Sequence, residues 1–477
     1  MSSENHLDNE SGSQSGPAPS TQSLAADLGR LVGSGNVRQQ RAELLPYTRD
    51  ATPMQSAWPQ VVVFPQDTGH VSAVAAYASA NSIPLVPRGA GTNLSAATVP
   101  TRGGIVMPMT AFSQVRSINT AEAIAVVQPG VTTLELATRA EAVGLMYPPD
   151  PGSRQTCTIG GNVATNAGGL RGLKYGVTGD YVLGLEVVLP TGEVIKTGGQ
   201  LRKDVAGYDL TSLIVGSEGT LAIITEVTVA LLPKPQHEAI GVAYFDDLAA
   251  AAAVVAAAVA EGIRPSTFEF LDQTCIRVVE DYANLGLDTQ AGALLVFGDD
   301  GYRDASEATA DRIAAICRDY GARSTTRAES VARSADLLAA RRCTLPALAR
   351  RAPVNILEDV GVPRSKLVEM VDRINEIASR HDLECGVFGH AGDGNLHPTL
   401  LLNPDESGVM VRAESAIGEI FAAAIELGGT ISGEHGIGIT KLPYLEQQLG
   451  EDQVALLRRI KLTFDPKGIL NPGKLGS

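Results

Sequence analysis

Between Pro148 and Gly169 the chain reads PPDPGSRQTCTIGGNVATNAGG, with Gly152, Gly160, Gly161, Gly168 and Gly169 interleaved with Ser153, Thr158 and Asn166. Such a stretch constrains the fold more than any other. Glycine lets a backbone approach a flat or charged ligand closely, and short polar side chains hydrogen-bond in both senses. A surface turn needs neither in such number, so the segment points to a ligand-lining loop. Two further glycine loops occur. PRGAGTNLS (Pro87 to Ser95) follows an apolar run, but Leu94 stands at the third glycine of a dinucleotide fingerprint and no helix pattern follows, so the Rossmann and Walker modes both fail. Alone it reads as a tight turn, with an anion nest of backbone N–H groups as the rival. VGSEGTLAIITEV (Val215 to Val227) is the third. Three such loops suit a large ligand with phosphates, a sugar and a ring.

At 477 residues the chain exceeds one hydrophobic core. A net charge of −15 argues against nucleic acid as a bulk partner. Five scattered cysteines without a CxxC suit free thiols in a reducing compartment. The apolar run Leu248 to Ala260 falls short of the ~20 residues a membrane span needs. We expect a cytoplasmic protein with no transmembrane segment, with room for peripheral attachment to the inner membrane face.

The pattern divides the chain. A polar Ser/Gly/Pro-rich tail occupies residues 1–24, and a first domain of strands, helices and glycine loops runs from 25 to 233. In it VVVFP and IPLVP read as strands around a helix, LGLEVVLPTGEVIKTGG as a hairpin, and GTLAIITEVTVALLP as a closing strand pair. From 234 to 430 the texture alternates strand and helix, predicting an α+β domain with an open sheet. The segment 431–477 ends in FDPKGILNPGK, too rich in Pro and Gly for a helix and suited to packing on another surface.

Four histidines (His6, His70, His237, His381) stand apart and read as structural or solvated. His390 and His397 instead flank the turn of VFGHAGDGNLHPTLL, where antiparallel strands bring them together, and ISGEHGIG adds Glu434 and His435. Two imidazoles and a carboxylate make an open three-ligand site for zinc or manganese. From spacing alone, a buried polar turn explains them equally well.

The glycine loops together with KYGVTGDYVLGLEVVLPTGEV resemble the FAD-binding domain of the vanillyl-alcohol oxidase and p-cresol methylhydroxylase superfamily. FGHAGDGNLH, ISGEHGIGITK and FDPKGILNPGK resemble its branch of FAD-linked D-lactate dehydrogenases, glycolate oxidase flavoprotein subunits and D-2-hydroxyglutarate dehydrogenases. The resemblance covers residues 40 to 475. It implies an α+β architecture: a two-subdomain PCMH-type FAD domain, an α+β cap domain with an open antiparallel sheet, and a C-terminal segment returning to the FAD domain.

By this resemblance Arg88, Gly89, Ala90, Gly91, Thr92, Asn93, Leu94 and Ser95 wrap the FAD pyrophosphate. Pro149, Asp150, Gly152, Ser153, Thr158, Gly160, Gly161, Asn166 and Gly169 line the flavin path, and Glu218, Gly219 and Ile223 the adenosine side. Relatives with covalent flavin carry a histidine in the first loop; here Asn93 stands there, so FAD is expected to be non-covalent, and Cys157 is read as no tether. Ala96 and Ala97 replace the Gly-Gly of many relatives, which predicts an altered local path, since alanine disfavours positive φ.

The resemblance also places a divalent metal on His390, His397 and Glu434 and makes His435 the base. Gly433 and Gly436 would permit the bend that lets Glu434 and His435 share a cavity. Arg341 is the expected partner of a substrate carboxylate, with Arg342 its neighbour and rival. Hydroxyglutarate-type relatives place a lysine shortly before the aspartate of a D-x-x-x-P segment; this chain has Leu357, which favours a small monocarboxylate of the D-lactate or glycolate type. The expectation is a dehydrogenase of a small (R)-2-hydroxy acid, with D-2-hydroxyglutarate or D-malate as rival substrates. A flavin-bearing relay subunit and a sugar or alcohol oxidase are the rivals of another kind, and neither needs the histidine cluster. No NAD site is visible, so a quinone, cytochrome or electron-transfer flavoprotein is the expected acceptor. Oligomeric state stays open, a homodimer included.

Overall fold

The computed structural model describes residues 20–476. Residues 1–19 of the expected tail, His6 among them, lie outside that range. A helix spans the expected boundary at residue 25: Ser20 Oγ accepts the Ser23 N–H and caps the helix Thr21–Val32, which buries Leu24, Leu28 and Val32. Those apolar residues recur every four positions, and the resulting stripe is what ties the segment down.

A four-stranded sheet comes first, in the order Val37–Arg38, Val61–Val63, Ile105–Pro108, Leu85–Arg88, the last three parallel. The helix Thr68–Ala80, capped by Asp67, packs in the same core. A five-stranded antiparallel sheet follows: Val115–Asn119, Ile124–Val127, Ile223–Ala230, Val182–Val188, Val194–Gly198. Its Val182–Gly198 edge is the predicted hairpin. The expected closing strand pair is instead one strand, Ile223–Ala230, after which Leu232–Pro233 leaves to pair with Leu145–Met146. No turn signal interrupts that run, so it stays a single strand as far as Ala230.

The later strands form an eight-stranded sheet. Its path is Ser324–Arg327, His237–Phe245, Ala293–Gly301, Thr267–Asp272, Glu384–His390, Asn395–Leu402, Val354–Leu357, with Val360–Gly361 also on Asn395–Leu402. Every pairing in it is antiparallel. One face, with Phe245, Phe268, Phe270 and Phe297, is covered by the helices Leu248–Ala260, Arg303–Asp319, Leu367–Arg380 and Val409–Glu426. The other, with Leu271 and Phe388, meets Gln273–Ala283 and Val331–Arg342. Strand alternation puts Glu269, Phe388, His390 and His397 on this second face. The alanine-rich helix is buried, and no helix among the described residues is long and apolar enough to cross a membrane.

After the helix Glu451–Phe464 the chain returns to the first sheet, where Leu470 bridges Leu85 and Asn471 N–H donates to the Leu85 carbonyl. The buried Lys461 holds this return, donating to the carbonyls of Thr220 (2.7 Å) and Leu470 (2.8 Å) and pairing with Asp465.

Candidate active site

A cavity of about 450 Å³ lies where the glycine loops face the second face of the large sheet. The run Arg88–Leu94 lines it, with Gly152, Ser153, Thr158, Gly160, Gly161, Glu218 and Gly219. Arg88 is braced from behind, donating to Thr98 Oγ1 and the Arg49 carbonyl, both at 2.9 Å. The second loop is not wholly irregular. Ile159–Thr165 forms a helix despite its two glycines, because Thr158 caps it at Gly161 and Ile159 and Val163 are buried.

Six residues expected at the cofactor stand behind that wall. Ser95 Oγ donates to the Gly436 carbonyl (3.1 Å), and Ile223 is core. Pro149 is buried, and Gly169 lies against the Asp150 carbonyl. Asn166 ends the short helix and accepts the Gly179 N–H. Asp150 pairs with Arg154 (3.0 Å) and Arg342 (2.6 Å). Their polarity serves the loop framework, a use that local sequence does not distinguish from ligand contact. At the alanines, Ala96 adopts φ +58°, a conformation alanine disfavours, with its N–H held on Thr52 Oγ1 at 2.6 Å.

Phe388 faces His397 across the hairpin, and His390 lies two residues on, so both imidazoles project from one face. Glu434 Oε1 lies 3.1 Å from His390 Nε2 and 3.4 Å from His397 Nε2. The rings stand 5.2 Å apart at 88°. Room for the carboxylate comes from Gly168, where a Cβ would fall 2.5 Å from Glu434 Oε2. Burial alone would lower His390, yet Glu269 and Glu434 on its two nitrogens raise it to about 10. Burial likewise opposes the charge on Glu434, but His390 and His397 hold it well below the usual carboxylate range. Negative charge is thus concentrated where two imidazoles converge. Two ring nitrogens and a carboxylate oxygen, all within 4.8 Å of one another, fit a divalent cation with positions left open toward the cavity.

His435 stacks on His397, centroids 5.1 Å apart and planes at 8°. Glu434 and His435 share the site because the chain bends here rather than running as a strand, with Gly436 at φ +82°. Two buried carboxylates fix the bend. Asp359 Oδ2 accepts the N–H groups of Glu434 (2.9 Å) and His435 (2.8 Å), and Glu218 accepts those of Ile437 and Gly438, both at 2.7 Å. The Glu218 carboxylate, expected at the adenosine, is therefore committed to this bend. Burial would raise Asp359, but His435, Lys441 and His397 hold it well below its ordinary value. Burial pushes His435 down to about 4, with Asp359 offsetting part of the effect.

Arg341 and Arg342 both reach the cavity. Arg341 lies over the Phe388 ring at 4.6 Å, with Nε 2.7 Å from Glu269 Oε2, while Arg342 is held by Asp150. Leu357, Leu345 and Phe388 supply apolar wall. Glu269, Asp359 and Arg342's pairing with Asp150 are the features that sequence reasoning missed. For Glu269 a signal existed: an acid between Phe268 and Phe270 is costly to bury unless partnered.

Comparison with known proteins adds the family. Residues 234–475 match the family of FAD linked oxidases, C-terminal domain, and residues 59–198 match an FAD binding domain family. The chain is 48% identical over 455 residues to the glycolate oxidase subunit GlcD of Bacillus subtilis, covering 95% of this chain and 97% of that one. It is 36% identical over 419 residues to the mitochondrial D-lactate dehydrogenase (cytochrome) of Arabidopsis thaliana, covering 87% and 73%. Among solved structures, p-cresol methylhydroxylase with substrate bound superposes with a TM-score of 0.80 at 17% identity, covering 95% of this chain and 96% of that one, a likeness of fold. The chain belongs to the FAD-linked oxidases, with the PCMH-type FAD-binding fold, and is an FAD-dependent oxidoreductase.

Proposed function

We propose that this protein is a dehydrogenase of a small (R)-2-hydroxy acid, of the D-lactate or glycolate kind, producing the 2-oxo acid. The observation that carries the reading is the convergence of His390 and His397 on Glu434, with His435 stacked beside them, on the wall of the cavity that the glycine loops line. The names of the Bacillus subtilis and Arabidopsis thaliana relatives, a glycolate oxidase subunit and a D-lactate dehydrogenase, support it.

When bound, FAD supplies the hydride acceptor, and a zinc or manganese ion on His390, His397 and Glu434 supplies polarisation of the substrate hydroxyl. His435 takes the hydroxyl proton on Nε2, which lies 3.9 Å from Glu434 Oε1, while Nδ1 is turned to Asp359 at 4.0 Å. Arg341 holds the substrate carboxylate. Leu345, Leu357 and Phe388 exclude water, and Leu357 leaves a second carboxylate without a cation. FAD sits non-covalently: the first loop offers Asn93, and the Cys157 thiol, 3.2 Å from Thr133 Oγ1, is pushed up by burial and stays protonated. A quinone, cytochrome or electron-transfer flavoprotein receives the electrons.

Anaerobic mixing with a panel of 2-hydroxy acids, following the flavin absorbance, tests the reading. D-lactate or glycolate should bleach the flavin. Bleaching by D-malate or D-2-hydroxyglutarate alone would overturn the substrate choice. No bleaching by any hydroxy acid would favour the relay subunit.

A further inference from the structure

His390 and Glu434 face two cavities. Besides the one at the glycine loops, a second of about 430 Å³ is lined by both residues and shares no other lining residue with the first. The pair is a partition. Beyond it lies Asp393, in the turn Ala391–Asp393 that joins the strands bearing the two histidines. Gly172 makes the space for its carboxylate, since a Cβ there would fall 2.3 Å from Asp393 Oδ2. Val177 and the exposed Pro363 also line this cavity.

The two chambers differ in charge. The first holds Arg88, Arg341 and Arg342 and suits anions. The second has Asp393 and Glu434 and, among the described residues, is lined by no lysine or arginine. The adjacent Arg364 donates its Nε to the Gly392 carbonyl at 2.6 Å. An acidic recess between low-dielectric walls concentrates cations and repels carboxylates. Flavin and substrate in the first chamber would close the histidines off from that side.

We propose that the second cavity is the port through which the divalent cation enters and leaves the His390–His397–Glu434 site, with Asp393 as its relay ligand. This rests on the metal-site reading above and adds the entry path that any such site requires. Cation and hydroxy acid then approach the same two ligands from opposite sides, and metal exchanges without release of FAD.

The test uses FAD-loaded protein stripped of metal by a chelator and desalted, with Mn²⁺ alone as the probe. Uptake is followed by loss of the free Mn²⁺ resonance signal, and release by chelator challenge. Val177→Trp and Pro363→Trp, which narrow the port, should slow uptake and release alike by about tenfold or more and leave the equilibrium affinity unchanged. Asp393→Asn should slow uptake by about tenfold. Flavin absorbance reports folding; should Val177→Trp lose FAD, the other two variants decide. One Mn²⁺ per wild-type chain with rates unchanged in the folded variants would overturn the port and spare the metal site. Wild-type protein that binds no Mn²⁺ would overturn both.

Discussion

Glu269 lies directly opposite His390 across paired strands, with one carboxylate oxygen 2.8 Å from His390 Nδ1 and the other 2.7 Å from Arg341 Nε. One buried acid thus orients both a proposed metal ligand and the proposed substrate cation. Outer partners of this kind set the imidazole's tautomer and raise its basicity. Glu269→Gln should weaken divalent-cation affinity by about 10–100-fold and raise the KM for the hydroxy acid. Calorimetric titration of Mn²⁺ into FAD-loaded protein, alongside steady-state kinetics, measures both. Unaltered affinity would reduce Glu269 to a packing residue.

Among the described residues His435 Nδ1 has no hydrogen-bond partner, and the residue is held in place by its backbone N–H on Asp359 and its stack on His397. His435→Ala should slow anaerobic flavin bleaching by about 10²–10⁴-fold with FAD and metal content retained. A variant that bleaches at the wild-type rate removes the base from the mechanism.

Leu357 lines the cavity next to the buried Glu358–Asp359 pair. Leu357→Lys supplies the missing distal cation, so kcat/KM should move toward D-2-hydroxyglutarate and away from D-lactate. A charged hydrogen bond contributes about 1.5–3 kcal/mol, an order of magnitude or more in that ratio. The ratio of the two kcat/KM values is the readout, and an unchanged ratio would place the distal end of the substrate elsewhere.

Lys461 is 4% exposed and ties Asp465, the Thr220 carbonyl and the Leu470 carbonyl together. Lys461→Met leaves Asp465 as a buried charge without its ammonium partner, at a cost of about 3–5 kcal/mol. Denaturant unfolding should show that loss, and FAD retention should fall with it, because Thr220 lies within the third glycine loop.

Much of this protein is written locally. Strand alternation and a short turn put His390 and His397 on one face, and the density of glycine among Ser, Thr and Asn marks the loops that line the cavity. An open sheet and a C-terminal tail packed on another surface were legible from short-range pattern, whereas the antiparallel pairing and the return to the FAD domain were implied by the family resemblance. What the sequence could not decide is which polar residues face the cavity and which brace its wall. Asp150, Asn166 and Ser95 look like ligand contacts until their partners Arg342, Gly179 and Gly436 arrive from elsewhere in the chain. Glu269 and His390, 121 residues apart, meet only through strand pairing, as Asp359 and His435 do across 76 residues at the bend. A polar side chain's role is set by whichever partner satisfies it once water is gone, and only the tertiary structure brings that partner.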